Sequence, residues 1–310
     1  MNSKLQYMRR IGVLGVPSSA GARQKGQEKA PQALRKASLL EKIRLTGLEV
    51  LDFGDLPEVS YRPDKDNPKS QNLELVVQVA KKVSGRVNRI IQEGSLPLVL
   101  GGDCTITVGV LDAIIRNSPN LGLVYFDGDI DMNIPDTTIS GIFDGMGLAH
   151  IIGKGVKLLS HVGTRFPLVP EKNIVLFGYN QEAGSIDAWE TGVLSNCQMA
   201  KYPLSRIKGI AKDSAKKVVH QLENEVDSIL VHFDVDVIDF DDFPAADVPH
   251  HKGLSFDETI EALTVFITSK KFVGLVVTEF NVNRDNEGLL AKRLVDGVGK
   301  ALRGGPGLIA

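Results

Sequence analysis

The sequence contains few cysteines, few aromatic residues and no long apolar run. Two of its 310 residues are cysteine, Cys104 and Cys197, which excludes a disulfide scaffold and favours a reducing, cytoplasmic location. No apolar run approaches the length that a bilayer crossing requires, and a net charge of −2 provides no basic surface for nucleic acid. We therefore expect neither a membrane nor a nucleic acid as a partner.

What the sequence does contain is a regular alternation of short apolar runs with amphipathic segments. This alternation is typical of an α/β domain with a mostly parallel central sheet, and we expect one such domain over residues 1–310. Helices are predicted at 73–91, where Gly94 would follow the end, at 213–226, and from a cap at Ser255. Strands are predicted at 11–16, 49–53, 97–100, 122–126, 174–177, 228–233 and 273–278.

Two aspartate clusters each follow one of these apolar runs directly. Asp127, Asp129 and Asp131 follow the strand predicted at 122–126, and Asp234 and Asp236 follow the one at 228–233. Aspartate-rich segments are usually solvated loops, but an alternating spacing after a buried strand sends every second side chain to the same side. Both clusters can therefore point at one place.

The same pattern recurs after two further strands. Cys104 follows the strand predicted at 97–100, and Glu279 follows the one at 273–278. Ligands of open α/β sheets bind beyond the carboxyl ends of the strands. Six carboxylates and a thiol gathered there need a compensating positive charge, and a pair of divalent metal ions is the simplest source of it. The alternative for Cys104 is a small buried core residue.

The motifs resemble those of the ureohydrolases, the family of arginase, agmatinase and formimidoylglutamase, over nearly the whole chain. Gly-Gly-Asp-Cys-Thr at 101–105 is similar to the family's Gly-Gly-Asp-His-Ser. Asp-Gly-Asp-Ile-Asp at 127–131 is similar to Asp-Ala-His-x-Asp. Asp234, Asp236 and Asp239 match Asp-x-Asp-x-x-Asp, and Glu279 matches a late glutamate.

The resemblance implies a three-layer α/β/α fold, a homo-oligomer, and two divalent ions that take part in hydrolysis of a C–N bond. Manganese is the family's metal, although a thiolate ligand leaves zinc or another transition metal open. Asp131, Asp144 and Glu279 would be catalytic, and Thr138, Ser140 and Glu279 would contact the substrate. The implied metal ligands are Cys104, Asp127, Asp129, Asp131, Asp234 and Asp236.

The sequence departs from the family pattern at functional positions. Cys104 and Asp129 replace the two histidine ligands, and Asp144 stands where arginases carry a histidine credited with proton transfer. Ile142 replaces a polar residue, and residues 178–182 lack the acidic pattern that holds the amino-acid end of arginine. The family's ligand set of four aspartates and two neutral histidines carries a charge of −4. The corresponding set in this chain, five aspartates and a thiolate, would carry −6.

Two interpretations follow from these departures. The first is a metal-dependent hydrolase of a small cationic guanidino or formimino (amidine) compound, distinct from standard arginase. The second is a non-catalytic ureohydrolase-like protein with a binding or regulatory role. Three histidines are candidate acids in place of the missing proton-transfer histidine, namely His150, His161 and His232. Of these, only His232 is near the motifs, and a core position is the simpler interpretation for each.

Overall fold

The structure is a computed structural model and describes residues 10–181 and 187–305. One sheet of eight strands forms its centre, and every pair of neighbouring strands in it is parallel. The strands are β1 (Arg10–Gly15), β2 (Glu49–Asp55), β3 (Leu96–Leu100), β4 (Leu121–Phe126), β5 (Ile174–Phe177), β6 (Ala200–Tyr202), β7 (Ser228–Asp234) and β8 (Phe272–Thr278). Their order across the sheet is β2-β1-β3-β8-β7-β4-β5-β6.

Helices cover both faces of the sheet, so the predicted three-layer α/β/α fold is confirmed, with a parallel sheet throughout. The α-helices of the described ranges are α1 (Ala30–Lys36), α2 (Leu39–Arg44), α3 (Leu73–Gln92), α4 (Ile106–Ile115), α5 (Gly147–Ile151), α6 (Lys157–Ser160), α7 (Ala188–Asn196), α8 (Leu204–Ile207), α9 (Ala211–Glu225), α10 (Phe256–Ile267) and α11 (Leu289–Arg303). The assignment of residues 1–310 to one domain stays a prediction.

The side chains of the central strands alternate between two cores. Leu123 and Tyr125 of β4 pack in the core that α3 and α4 cover, whereas Val124 and Phe126 pack in the core that α9, α10 and α11 cover. A strand sends successive side chains to opposite faces, and both faces are apolar here. This explains why the central strands read in the sequence as continuous apolar runs.

Most predicted elements lie within one or two residues of the observed ones. Residues 174–177 match β5 at both ends, and the helix expected after Ser255 begins at Phe256 with a capping box between Ser255 and Glu258. The sequence analysis missed β6. This strand has three half-buried residues at the sheet edge, too few for a periodic signal.

The order of the strands positions the candidate site. The four segments that carry the candidate thiol and carboxylates follow β3, β8, β7 and β4, which are consecutive neighbours in the sheet. Because these strands are parallel, their carboxyl ends lie at one edge, as the sequence predicts. Within the described ranges, no helix is both long enough and apolar enough to cross a bilayer.

Candidate metal centre

The first ligand group combines the ends of β3, β4 and β7. One ligand atom from each of Cys104, Asp127, His232 and Asp234 lies within 4.8 Å of the others, and all four residues are buried. The Cys104 Sγ lies 2.7 Å from Asp234 Oδ2. The structure therefore brings together three of the predicted ligands, of which Asp234 is more than 100 residues along the chain from the other two.

His232 supports this group from within β7. Its Nδ1 lies 2.8 Å from the Thr107 hydroxyl, its Nε2 lies 3.4 Å from Asp127 Oδ2, and its ring stacks on Tyr125 with 4.2 Å between centroids. Burial lowers the pKa of His232 to about 3, so the imidazole is neutral at physiological pH. It is packed and hydrogen-bonded like a core histidine, while its Nε2 faces the acidic group.

Burial and mutual repulsion disfavour ionisation of the first group. Burial, and then the charges of Asp131 and Asp234, raise the pKa of Asp127 well above its usual range. The thiol pKa of Cys104 is raised in the same way, by burial and then by Asp234 and Asp144. A thiolate is the nucleophilic form of cysteine, so these carboxylates argue against an unassisted nucleophilic role for Cys104. A bound cation would instead favour the ionised forms of the carboxylates and the thiol.

The second ligand group includes a residue that the sequence analysis did not identify. Ligand atoms of Asp129, Asp236 and His250 lie within 4.8 Å of one another, and the two aspartates are predicted ligands. Backbone N–H groups hold the neighbouring carboxylates, since Gly128 donates to Asp236 at 3.0 Å and Asp129 donates to Asp127 at 2.7 Å. The two groups are therefore joined through the segment after β4.

His250 gave no signal in the sequence because it does not follow a strand. It lies in the loop that leaves β7 and returns to start α10, and a backbone bond from Phe240 N to His250 O (3.0 Å) holds it there. The charges of its neighbours matter for its protonation. Burial lowers the pKa of His250, but contact with Asp129 and attraction by Asp236 outweigh this effect and raise it to about 9.

Asp131 lies beside both groups and accepts a hydrogen bond from the Tyr125 hydroxyl. Its backbone is in the left-handed region, with φ at 48°, and Glu279 shares this unusual conformation with φ at 65°. Non-glycine residues seldom adopt such angles, and they cluster at functional sites. Five non-glycine residues of the described ranges have a positive φ, and these two are the ones that the sequence analysis assigned to catalysis.

Asp144 and Glu279 form a third acidic group with Cys104, again with ligand atoms within 4.8 Å. The Asp144 carboxylate accepts a hydrogen bond from the Cys104 backbone N–H at 2.8 Å, which ties residues 140–145 to the end of β3. Burial, and then the charge of Asp144, raise the pKa of Glu279 well above its usual range. One Glu279 oxygen, Oε1, is buried without a hydrogen bond to any described residue.

Thr138 and Ser140 occupy a turn that contacts the loop before α3. The Thr138 hydroxyl accepts from Gly141 N at 3.0 Å and lies 3.4 Å from the Ser140 hydroxyl. The backbone carbonyl of Ser140 accepts from Gln71 at 2.8 Å. These contacts give both hydroxyls a structural role, so their role in substrate binding stays a prediction. Glu182, at the end of the segment compared with arginases, lies outside the described residues.

Comparison with known proteins identifies the family. The model of the arginase family matches residues 9–298. The chain belongs to the arginase family. This arginase-family chain is 30% identical to the arginase of Bacillus subtilis over 268 residues, which are 85% of this chain and 89% of that protein.

Solved structures agree with this assignment. The arginase of Bacillus caldovelox superposes with a TM-score of 0.88 at 25% identity, covering 95% of this chain and 98% of that one. Formimidoylglutamase of Bacillus subtilis shares the fold, with a TM-score of 0.76 at 18% identity over 96% of this chain and 87% of that one. The resemblance to the ureohydrolases is thus confirmed for family and fold.

The residues of this site fit the divalent ions of a binuclear metal family. Carboxylate, thiolate and imidazole are all metal ligands, and the buried acids lack nearby cationic partners other than His250 among the described residues. A buried, like-charged set of this kind requires a compensating charge. The donor atoms do not select one metal, because the carboxylates suit manganese and the thiolate suits zinc.

Proposed function

We propose that this protein is a metal-dependent hydrolase that cleaves a C–N bond in a guanidino or formimino (amidine) compound. The observation that carries the proposal is that five of the six predicted ligands fall into two ligand groups beyond the ends of β3, β4 and β7, with the sixth, Asp131, beside them. Membership of the arginase family supports it, because the curated relatives are named arginases. Water would add to the central carbon, and the C–N bond would break to give urea or formamide and an amine.

Cys104, Asp127 and Asp234 would hold one divalent ion, and Asp129 and Asp236 would hold the other. The ions would supply Lewis acidity that activates water near neutral pH. We propose Mn²⁺ as the family's metal, with Zn²⁺ or another transition metal as the alternative that the Cys104 thiolate favours.

Asp131 would orient the attacking water and hold its proton. The Tyr125 hydroxyl fixes one oxygen of this carboxylate, and the backbone at Asp131 is held in a strained conformation. A group preorganised in this way loses little entropy when the reactants meet. Asp131 would therefore serve in catalysis as well as in metal binding.

Glu279 and Asp144 would bind the planar cation of the substrate. A guanidinium presents several N–H donors in one plane and pairs well with carboxylates. The buried Glu279 Oε1 without a hydrogen bond is an acceptor available for this role. The crowding of acids around it also favours a cationic ligand over a neutral one.

We propose a substrate other than that of standard arginase. Asp144 replaces the histidine that arginases carry at the position credited with proton transfer, and Ile142 replaces a polar residue. The names of the curated relatives make arginine the reference substrate for any test. Homo-oligomerisation and a cytoplasmic location stay predictions.

Metal analysis is the first test of the proposal. Purified protein is incubated with manganese, zinc, nickel or iron, freed of excess metal and analysed for bound ions. We expect about two ions per chain with at least one of these metals. Less than about one ion per chain under all four conditions would overturn the hydrolase proposal and favour the non-catalytic interpretation.

A substrate screen is the second test. The metal-loaded protein is assayed with guanidino and formimino compounds, including arginine, for release of urea, formamide or ammonia. Glu279→Gln should lose at least about 100-fold in kcat/KM toward the best compound while it retains its metal. The exposed variant Asp213→Asn on α9 serves as the control and should match the wild type. Full activity of Glu279→Gln would contradict the assigned role.

A further inference from the structure

We propose that His250 is a ligand of the second divalent ion, together with Asp129 and Asp236. This inference rests on the proposed function and adds a residue that lies outside the six ligands implied by the family pattern. It restores an imidazole to the side of the site where Asp129 replaces the family's histidine. The new donor comes from the loop after β7 and not from the segment after β4.

The position of the ring is the first argument. His250 is 2% exposed, and its Nε2 lies 3.3 Å from Asp129 Oδ2 and 3.9 Å from Asp236 Oδ2. Two ligands of one tetrahedral ion, each at a bond length of about 2.0–2.1 Å, are separated by roughly 3.3 Å. The distance to Asp129 matches this separation, and all three ligand atoms lie within 4.8 Å of one another.

The lack of hydrogen bonds is the second argument. Neither ring nitrogen of His250 makes a hydrogen bond to any residue of the described ranges. An imidazolium paired with carboxylates should point its N–H groups at them at about 2.7–2.9 Å. At 3.3 Å and 3.9 Å from the two carboxylate oxygens, the His250 Nε2 does not reach that distance, so its lone pair is available for an ion.

Gly128 makes room for the ring. A Cβ at Gly128 would lie 2.5 Å from His250 Cδ2 and 2.9 Å from Nε2. The family motif has alanine at this position, whereas this chain has glycine. The space that the alanine methyl group would fill is taken by the His250 ring, so Gly128 is required for the ring to lie beside Asp129 and Asp236.

The backbone holds His250 in this place. Two backbone hydrogen bonds close the loop after β7. Asp239 N donates to Leu254 O at 2.7 Å, and Leu254 N donates to Val237 O at 3.2 Å. These bonds, with the one from Phe240 to His250, close the loop next to Asp236. The histidine is thus positioned before any ion binds, which favours tight coordination.

The test is a titration of metal-free protein with Co²⁺, followed by calorimetry and absorption. A thiolate-to-cobalt charge-transfer band reports the ion beside Cys104, while calorimetry counts both ions. In His250→Ala the charge-transfer band should remain, and the second ion should bind about 10–100-fold more weakly. His251→Ala, which changes the exposed neighbouring histidine, should bind both ions like the wild type.

A pair of glycine variants tests the same assignment without removing a donor atom. Gly128→Ala should displace the ring and weaken the second ion as His250→Ala does. Gly145→Ala is the control, because a Cβ there meets no atom within 4 Å. Circular dichroism and thermal unfolding would show whether each variant is folded.

Two outcomes would overturn the inference in distinguishable ways. Equal or tighter binding of the second ion by His250→Ala, with the charge-transfer band retained, would show that His250 is not a ligand and leaves the proposed function intact. Absence of the charge-transfer band and of any bound ion in the wild type would overturn the proposed function and this assignment together.

Discussion

On the proposed ligand assignment, Cys104 and Asp129 would each add a negative charge where the family pattern has a neutral histidine, once a bound cation favours the thiolate. The structure places them in different ligand groups, Cys104 beside Asp234 and Asp129 beside Asp236. Thiolate prefers softer ions than carboxylate does. We therefore expect the two replacements to alter the metal preference of the two proposed ion positions separately.

Restoring both histidines should change the metal preference. We expect Cys104→His combined with Asp129→His to raise the affinity for Mn²⁺ relative to Zn²⁺ on the order of tenfold, because the variant loses a soft ligand and two charges. Competition of the two metals for the purified protein measures this ratio. Cys197→Ser changes the other buried cysteine and is the control. An unchanged ratio in the double variant would contradict the ligand assignments.

Glu190 in α7 should make stability depend on pH. Its carboxylate accepts from Met132 N at 3.2 Å and completes a capping box with Asp187. Burial raises the pKa of Glu190 from 4.5 to about 7, although backbone hydrogen bonds oppose the shift. The folded protein thus keeps a proton that the unfolded chain releases, so the free energy of unfolding falls as pH rises between these values.

The variant Glu190→Gln isolates this effect. The glutamine does not ionise, so the variant lacks this pH dependence. The unfolding free energy of the variant minus that of the wild type should therefore increase by about 3 kcal/mol between about pH 4.5 and about pH 7. Urea unfolding of the two proteins at several pH values, in the presence of a chelator, measures the difference. A difference that stays constant across this range would contradict the assignment.

At the scale of the element, two glycines should respond to alanine in opposite directions. A Cβ at Gly101, just after β3, would lie 2.2 Å from the Val277 carbonyl oxygen of β8. Gly101→Ala should therefore cost about 1–3 kcal/mol or more of unfolding free energy. Gly85 lies on the exposed side of α3 with no atom within 4 Å of an added Cβ, and Gly85→Ala should stabilise by about 0.5–1 kcal/mol.

Thermal and urea unfolding of the two alanine variants would measure the direction in which each changes the free energy of unfolding. No effect of Gly101→Ala would show that the close approach of β3 to β8 is not as described, and destabilisation by Gly85→Ala would show that the space beside α3 is not open. The comparison is matched because each variant adds the same methyl group.

The elements also show why parts of the molecule could be predicted and others could not. β7 is an apolar run followed by Asp234, so its sequence indicates both a buried strand and a ligand at its end. β6 depends on pairing with β5 alone, and its three residues show no pattern of their own. His250 depends on a loop closing over residues 239–254, a long-range fold property that local periodicity does not contain.

At the scale of the whole molecule, ion binding should contribute to stability. The ligands come from β3, β4 and β7 and the segments that follow them, so an ion bound by the folded chain is released when the sheet unfolds. The free energy of unfolding should rise by about 2.7 kcal/mol at a free ion concentration 100 times the dissociation constant. Thermal unfolding across a series of Mn²⁺ or Zn²⁺ concentrations measures this rise. A Tm that is independent of ion concentration would contradict it.

The strand order has a consequence for how the chain folds. β7 and β8 lie between β3 and β4, although β3 and β4 precede them by more than 100 residues along the chain. β3 and β4 can therefore take their final positions only when β7 and β8, which are synthesised later, lie between them. Cys104 and Asp127 meet Asp234 only at that point. Capture of an ion by this group would thus be a late event in folding, and it would mark a sheet whose central strands are in place.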